Sequence, residues 1–241
     1  NKVGAQRITG TPEKDVVVDK NTSKASVFGL NNVVLGKEVL ALGNNNNVNG
    51  ENSTAIGTQS TADGINALAI GTGAKAHVTN PSAANSNKPG NLVAIGTSAE
   101  ATAAETVAIG ESAKASKQNA NAFGSKAKAE GESSLALGSG SYAKEDSSVA
   151  IGNDSNATAK SSVALGESTN ATAIFATAVG DSATASGVRS FAAGLNSNAQ
   201  SDDSIAIGAN TNSTVRGISI GAEASAYHQG ISVGYKSNAS G

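Results

Sequence analysis

Two histidines, His77 and His228, are the only imidazoles in the 241 residues, and the chain has no cysteine, methionine or tryptophan. A nucleophile–histidine–acid triad or a multi-histidine metal site needs its groups gathered in one pocket. Residues 77 and 228 stand about eleven coils apart in the repeat described below, at ~4.8 Å per coil, so one chain cannot bring them together. Both read as exposed turn residues. Thiol catalysis, disulfides and cysteine-ligated zinc are excluded by composition. The 28 glycines form no G-x-x-x-x-G-K-[ST] phosphate cradle, and no Gly-Gly pair of the kind calcium-binding solenoids use. Asn-x-Ser/Thr triplets at Asn52, Asn156, Asn170 and Asn212 signal glycosylation only in a secretory pathway that attaches glycans. Here they read as turn and ladder residues. The expectation is a chain with no catalytic residue, no metal and no cofactor, and so not an enzyme.

Composition leaves little for an ordinary core. Hydrophobic residues make up 38%, but 44 positions are alanine, and Leu, Ile, Val and Phe together number 45. That is about 19% of the chain, a level normally associated with disorder. Disorder also calls for high net charge, and the charge is only −2 with 15% charged residues. Near-neutral charge and a pI of about 5.7 argue against a nucleic-acid footprint. No apolar run approaches the ~20 residues of a membrane span, and no signal peptide is recognisable. The sequence reads as a piece of something longer.

A repeat resolves the contradiction. The word apolar–Ala–apolar–Gly recurs with its glycine at 29, 43, 57, 71, 96, 110, 124, 138, 152, 166, 180, 194, 208, 221 and 234. The spacing is 14 residues, except for one of 25 after Gly71 and two of 13 at the end. The 25 marks an insertion of eleven residues that leaves the register intact. Bulky residues stand one and three positions before glycine, as in Val149 and Ile151, with alanine between. Small residues stand three and five positions after it, as in Ser155 and Ala157. Spacing by two is the strand period, and the Ser, Asn, Asp, Lys and Glu between the halves are turn chemistry. Two short parallel strands and two turns per coil, stacked in register, make an all-β solenoid of about fifteen coils. Where Asn121 replaces a bulky residue its companion is Phe123, and where Ala193 does, its companion is Phe191. Such swaps run the way a close-packed interior requires.

The first strand of each coil is apolar on both faces, with Val and Ile on one and Ala on the other. A strand buried on both sides needs two covers. A two-strand coil supplies one, so the other must be a second chain. A homo-oligomer with a long apolar seam is expected, and cyclic symmetry is its simplest closure.

The word and its continuation, Ser148-Val149-Ala150-Ile151-Gly152 with Ser155 and Ala157, resemble the head repeats of trimeric autotransporter adhesins, the YadA-like surface proteins of Gram-negative bacteria. The resemblance covers about residues 26–239. It implies a left-handed parallel β-roll, a homotrimer, and a fibre projecting from the outer membrane after secretion by the type V pathway. Host attachment would be its task, through matrix proteins (collagen, fibronectin, laminin) or a receptor such as a carcinoembryonic-antigen-related adhesion molecule (CEACAM). Stalk and C-terminal membrane anchor belong to other segments of such proteins. Residues 1–25 fall outside the repeat, and Val16-Val17-Val18 reads there as a strand that caps the open coil edge; residues 26–241 form the head.

Two features stand out as candidate contact sites. The insertion, residues 77–91, carries His77 and Lys88, and loops that leave a scaffold often carry function. The second is a break in the turn pattern. Eight and nine residues after glycine most coils carry polar pairs, such as Lys160-Ser161, whereas two adjacent coils carry Ile174-Phe175 and Val188-Arg189. Apolar clusters with an arginine neighbour are typical of interaction sites; they also suit a groove between neighbouring chains. Tyr142 is a further candidate contact. The column four after glycine places Glu100 beside Lys114 as an exposed ion pair, and stacks Asn156, Asn170, Thr184, Asn198 and Asn212 as an amide ladder. Three rival readings are weaker. Ile109-Gly110-Glu111-Ser112-Ala113-Lys114 resembles one hexapeptide of the left-handed β-helix acyltransferases, but those need three hexads per coil. An ice-binding solenoid would show paired threonines, which are scattered here. A passive spacer would leave binding to other segments of the fibre.

Overall fold

A computed structural model describes residues 17–18, 24–78 and 90–240. The chain forms two compact units, Asn1–Lys126 and Ala127–Gly241. Each is a β-solenoid of parallel coils of about 14 residues, two strands to a coil. In the second unit Val149–Ile151 pairs in register with Leu135–Leu137 and Val163–Leu165, and Asn156–Ala157 with Tyr142–Ala143 and Asn170–Ala171. In the first, Val107–Ile109 lies on Val93–Ile95 and Lys114–Ala115 on Glu100–Ala101. Identical positions stack, so alanine sits on alanine from coil to coil.

The interior of most coils is filled by four small side chains. In one coil these are Ser148, Ala150, Ser155 and Ala157; in another Thr106, Ala108, Ala113 and Ala115, all fully buried. Several coils of the first unit take larger side chains as well: Val27, Val34, Val39, Val48 and Leu92 are buried. Buried serines need a partner, and many find it locally: Ser162 and Ser204 donate their hydroxyls to the carbonyls of Ala159 and Ser201, both at 2.6 Å. Asn32 and Asn46 are also buried, and the Asn32 Oδ1 accepts from the Asn46 N–H and the Asn46 Oδ1 from the Ser60 N–H, each at 3.0 Å.

The bulky residues point outward. Leu137 is 44% exposed and Ile207 37%, while the alanines between them are sealed. Asn121, Phe123, Phe191 and Ala193 are all half-buried on this outer face. Their volume balance therefore does not arise inside the coil, contrary to the reading that assigned it to a close-packed interior. It belongs to a surface.

The two turns of each coil contain a residue in the left-handed region, a conformation that costs an ordinary side chain roughly 1–2 kcal/mol. Ser147, Ser161 and Asp203 adopt it with φ of 57°, 55° and 58°. Their N–H groups continue the ladder to the coil before, as Ser161 does to the Asp146 carbonyl at 2.9 Å. In the two coils of 13 residues the missing residue comes from this turn. Val215-Arg216 and His228-Gln229 then take positive φ in tandem, closed by hydrogen bonds from Gly217 N–H to Thr214 and Gly230 N–H to Tyr227.

The insertion leaves the stacking undisturbed: Leu68↔Val93, Ile70↔Ile95 and Ala76↔Ala101 remain register partners. Residues 79–89, with Lys88, lie outside the described residues, as does most of 1–23. Val17–Val18 pairs in parallel with Val33–Val34.

Candidate interaction surface

Because the coil interiors are packed with small side chains, chemistry and recognition are left to the surface. Among the described residues, no group of His, Cys, Asp or Glu is placed to hold a metal ion. The coil has two strands, so the hexapeptide at 109–114 lacks the third face that a triangular β-helix would give it.

The four turn residues singled out by sequence do come together. Phe175 and Arg189 occupy the same left-handed turn position of adjacent coils, each with φ 59°. The Arg189 N–H donates to the Ile174 carbonyl at 3.0 Å, and the Phe175 N–H to Lys160 at 3.2 Å. Ile174 is 45% exposed and Phe175 57%; Val188 is half-buried and Arg189 exposed. The arginine is held from the next coil. Its Nε and Nη2 donate to the two carboxylate oxygens of Asp203 at 2.6 and 2.9 Å, a bidentate geometry. Those hydrogen bonds hold the Asp203 carboxyl below its ordinary range and push the Arg189 guanidinium up. Asp202 is engaged too, its Oδ1 accepting from the Val188 N–H at 2.9 Å. The two aspartates were not among the candidate residues. Their signal is a spacing of 14 from Val188 and Arg189, one coil further on.

Tyr142 stands apart from this patch, on the outer face of the second strand. Its hydroxyl donates to Glu130 Oε2 at 2.8 Å, and Lys128 Nζ lies 5.8 Å from the ring centroid. Partial burial, then the hydrogen bond to Glu130, pushes the hydroxyl up to about 12. Absorbance-monitored alkaline titration should show one of the three tyrosines ionising near that pH, and Glu130→Gln should bring it down. Because the folded value lies above the ordinary ~10, this contact stabilises the fold at pH below ~10. Its contribution disappears as pH rises through about 12.

His77 is not a turn residue. It ends the strand Lys75–His77, with Nδ1 3.2 Å from Asp63 Oδ2 on the coil before. His228 is an exposed turn residue, as read. Glu100 and Lys114 are register partners, but the Glu100 carboxylate takes its 2.9 Å ion pair from Lys75 on the other side. Exposed pairs of this kind contribute ~0–1 kcal/mol. The asparagine column forms a rung at Asn156, whose Nδ2 donates to Asn170 Oδ1 at 3.3 Å.

Comparison with protein families places this arrangement. The model of the YadA head domain repeat, which spans two copies, matches residues 36–60, 49–74, 62–80, 93–113, 101–127, 115–141, 129–155, 143–167, 157–183, 171–197 and 185–211. A search of curated proteins finds no match. The matched segments cover well over half of the chain and follow the coils one after another, and the chain therefore belongs to the YadA head family of trimeric autotransporter adhesins.

Proposed function

We propose that the chain is an adhesin head that assembles as a homotrimer on the bacterial surface and attaches to host matrix proteins or a host receptor. The observation that carries this reading is the outer face of the first strands. Val149, Ile151, Val163 and Leu165 line it in register and stay half-exposed in one chain, a continuous apolar surface of the kind that marks an interface. Covering it with copies of itself leaves the polar second strands and the turns outward, where ligands meet them. Threefold repetition then multiplies a weak contact.

Light scattering on dilute protein should give about three times 23.5 kDa, with no stable folded monomer. A folded monomer at micromolar concentration overturns the assembly. For attachment, the trimer is tested on immobilised collagen, fibronectin, laminin and CEACAM ectodomain. Capture by none of them overturns that part of the reading.

A further inference from the structure

One residue of the left-handed turn column in the second unit stands out, Phe175. Its residues 147, 161, 175, 189 and 203 are Ser, Ser, Phe, Arg and Asp, all with φ between 55° and 59°. Short polar side chains suit this conformation because they bond to nearby backbone or clear it; a bulky aromatic does not. Phe175 nevertheless holds it, and the residue stays 57% exposed beside Ile174, itself 45% exposed. The chain gains neither backbone comfort nor much burial from this ring. Strain kept at an exposed apolar residue is characteristic of binding surfaces.

The electrostatics around the ring narrow the class of partner. Asp202 and Asp203 are both engaged within the chain, with Val188 and Arg189. Arg189 has five N–H donors and spends two on Asp203, so three remain. Lys160, one coil before Phe175, adds a second cation along the same edge. The edge thus presents an aromatic and an aliphatic side chain beside an arginine whose charge Asp203 balances but which keeps three N–H donors.

We propose that the Ile174-Phe175 and Val188-Arg189 turns form a docking surface for a host protein that offers an apolar pocket to the Phe175 ring and carboxylates at its rim to Arg189. This rests on the attachment function above and specifies its site. Aromatic and arginine anchors of this type carry a disproportionate share of interface energy.

The test uses the assembled trimer and two variants, Phe175→Asn and Ile174→Ser, on the same four immobilised proteins. Asparagine accepts the left-handed conformation, so Phe175→Asn should raise Tm by ~2–4 °C while lowering capture at least tenfold. Ile174→Ser should weaken capture with Tm unchanged. If both variants bind like the parent, the docking surface is wrong although attachment stands. If Phe175→Asn lowers Tm or releases monomers, the ring is glue between protomers and the proposal falls. A parent trimer that binds none of the four proteins overturns attachment itself, and this site with it.

Discussion

Gly152→Ala is expected to unfold the coil around it, at a cost on the order of 4 kcal/mol or more. Gly152 closes the strand Val149–Ile151 with φ +131°, and an added Cβ would overlap the carbonyl oxygen of Gly166 and stand 2.5 Å from its carbon. Both atoms are backbone of the next coil, itself locked against the coil after, so neither can retreat without breaking the ladder. Two penalties combine, a φ unsuited to a side chain and a backbone collision. Gly73 provides the control. It too has positive φ, +67°, but a Cβ there meets only Ser98 Oγ at 3.7 Å. Gly73→Asn should therefore stay within about ±0.5 kcal/mol of the parent. Thermal melts of the two variants test the pair, and a Gly152→Ala protein as stable as the parent would refute the close-stacking account.

Ala150→Asp should be comparably severe, and its severity should depend on pH. Ala150 is fully buried between Ala136 and Ala164. The interior hydroxyls on either side, Ser148 and Ser155, already donate to the carbonyls of Glu145 and Gly152. A carboxylate placed there has no cation to pair with, and an uncompensated buried charge costs roughly 3–5 kcal/mol. Burial raises the carboxyl of the folded variant above the ordinary ~3.9. Between those two values the folded state binds more protons than the unfolded one, so stability falls as pH rises. The deficit should thus be smaller at pH 4 than at pH 7, as read from denaturant midpoints. Ala150→Ser should be tolerated, because Ser219 and Ser232 already occupy the same strand position, buried, in later coils. A deficit independent of pH would mean that the aspartate escapes to solvent.

The period of the glycines determined which residues stack on which. It did so even across the spacing of 25, where Ile70 and Ile95 pair, and across the two of 13, where Ile207, Ile220 and Val233 do. A coil can slip only by displacing every alanine from its neighbour, so one chemical period admits one register. The break at Ile174-Phe175 was legible for the same reason. Direction was not. Alternation by two says that Ala150 and Ile151 face opposite ways, and both are apolar, so either could have been the core. The separation of the two sheets decided it: in the second unit alanine, serine and threonine fill the gap and the bulky pair of each coil is left outside, whereas Val34, Val48 and Leu92 are taken inside in the first unit. Partner choice within a column was also hidden. Glu100 has a lysine on each side, Lys75 and Lys114, and takes Lys75; Tyr142 reaches Glu130, twelve residues back; Arg189 is gripped by Asp203. Sequence period places such groups one strand spacing apart, but side-chain torsions choose among neighbours, and those are set by packing in three dimensions.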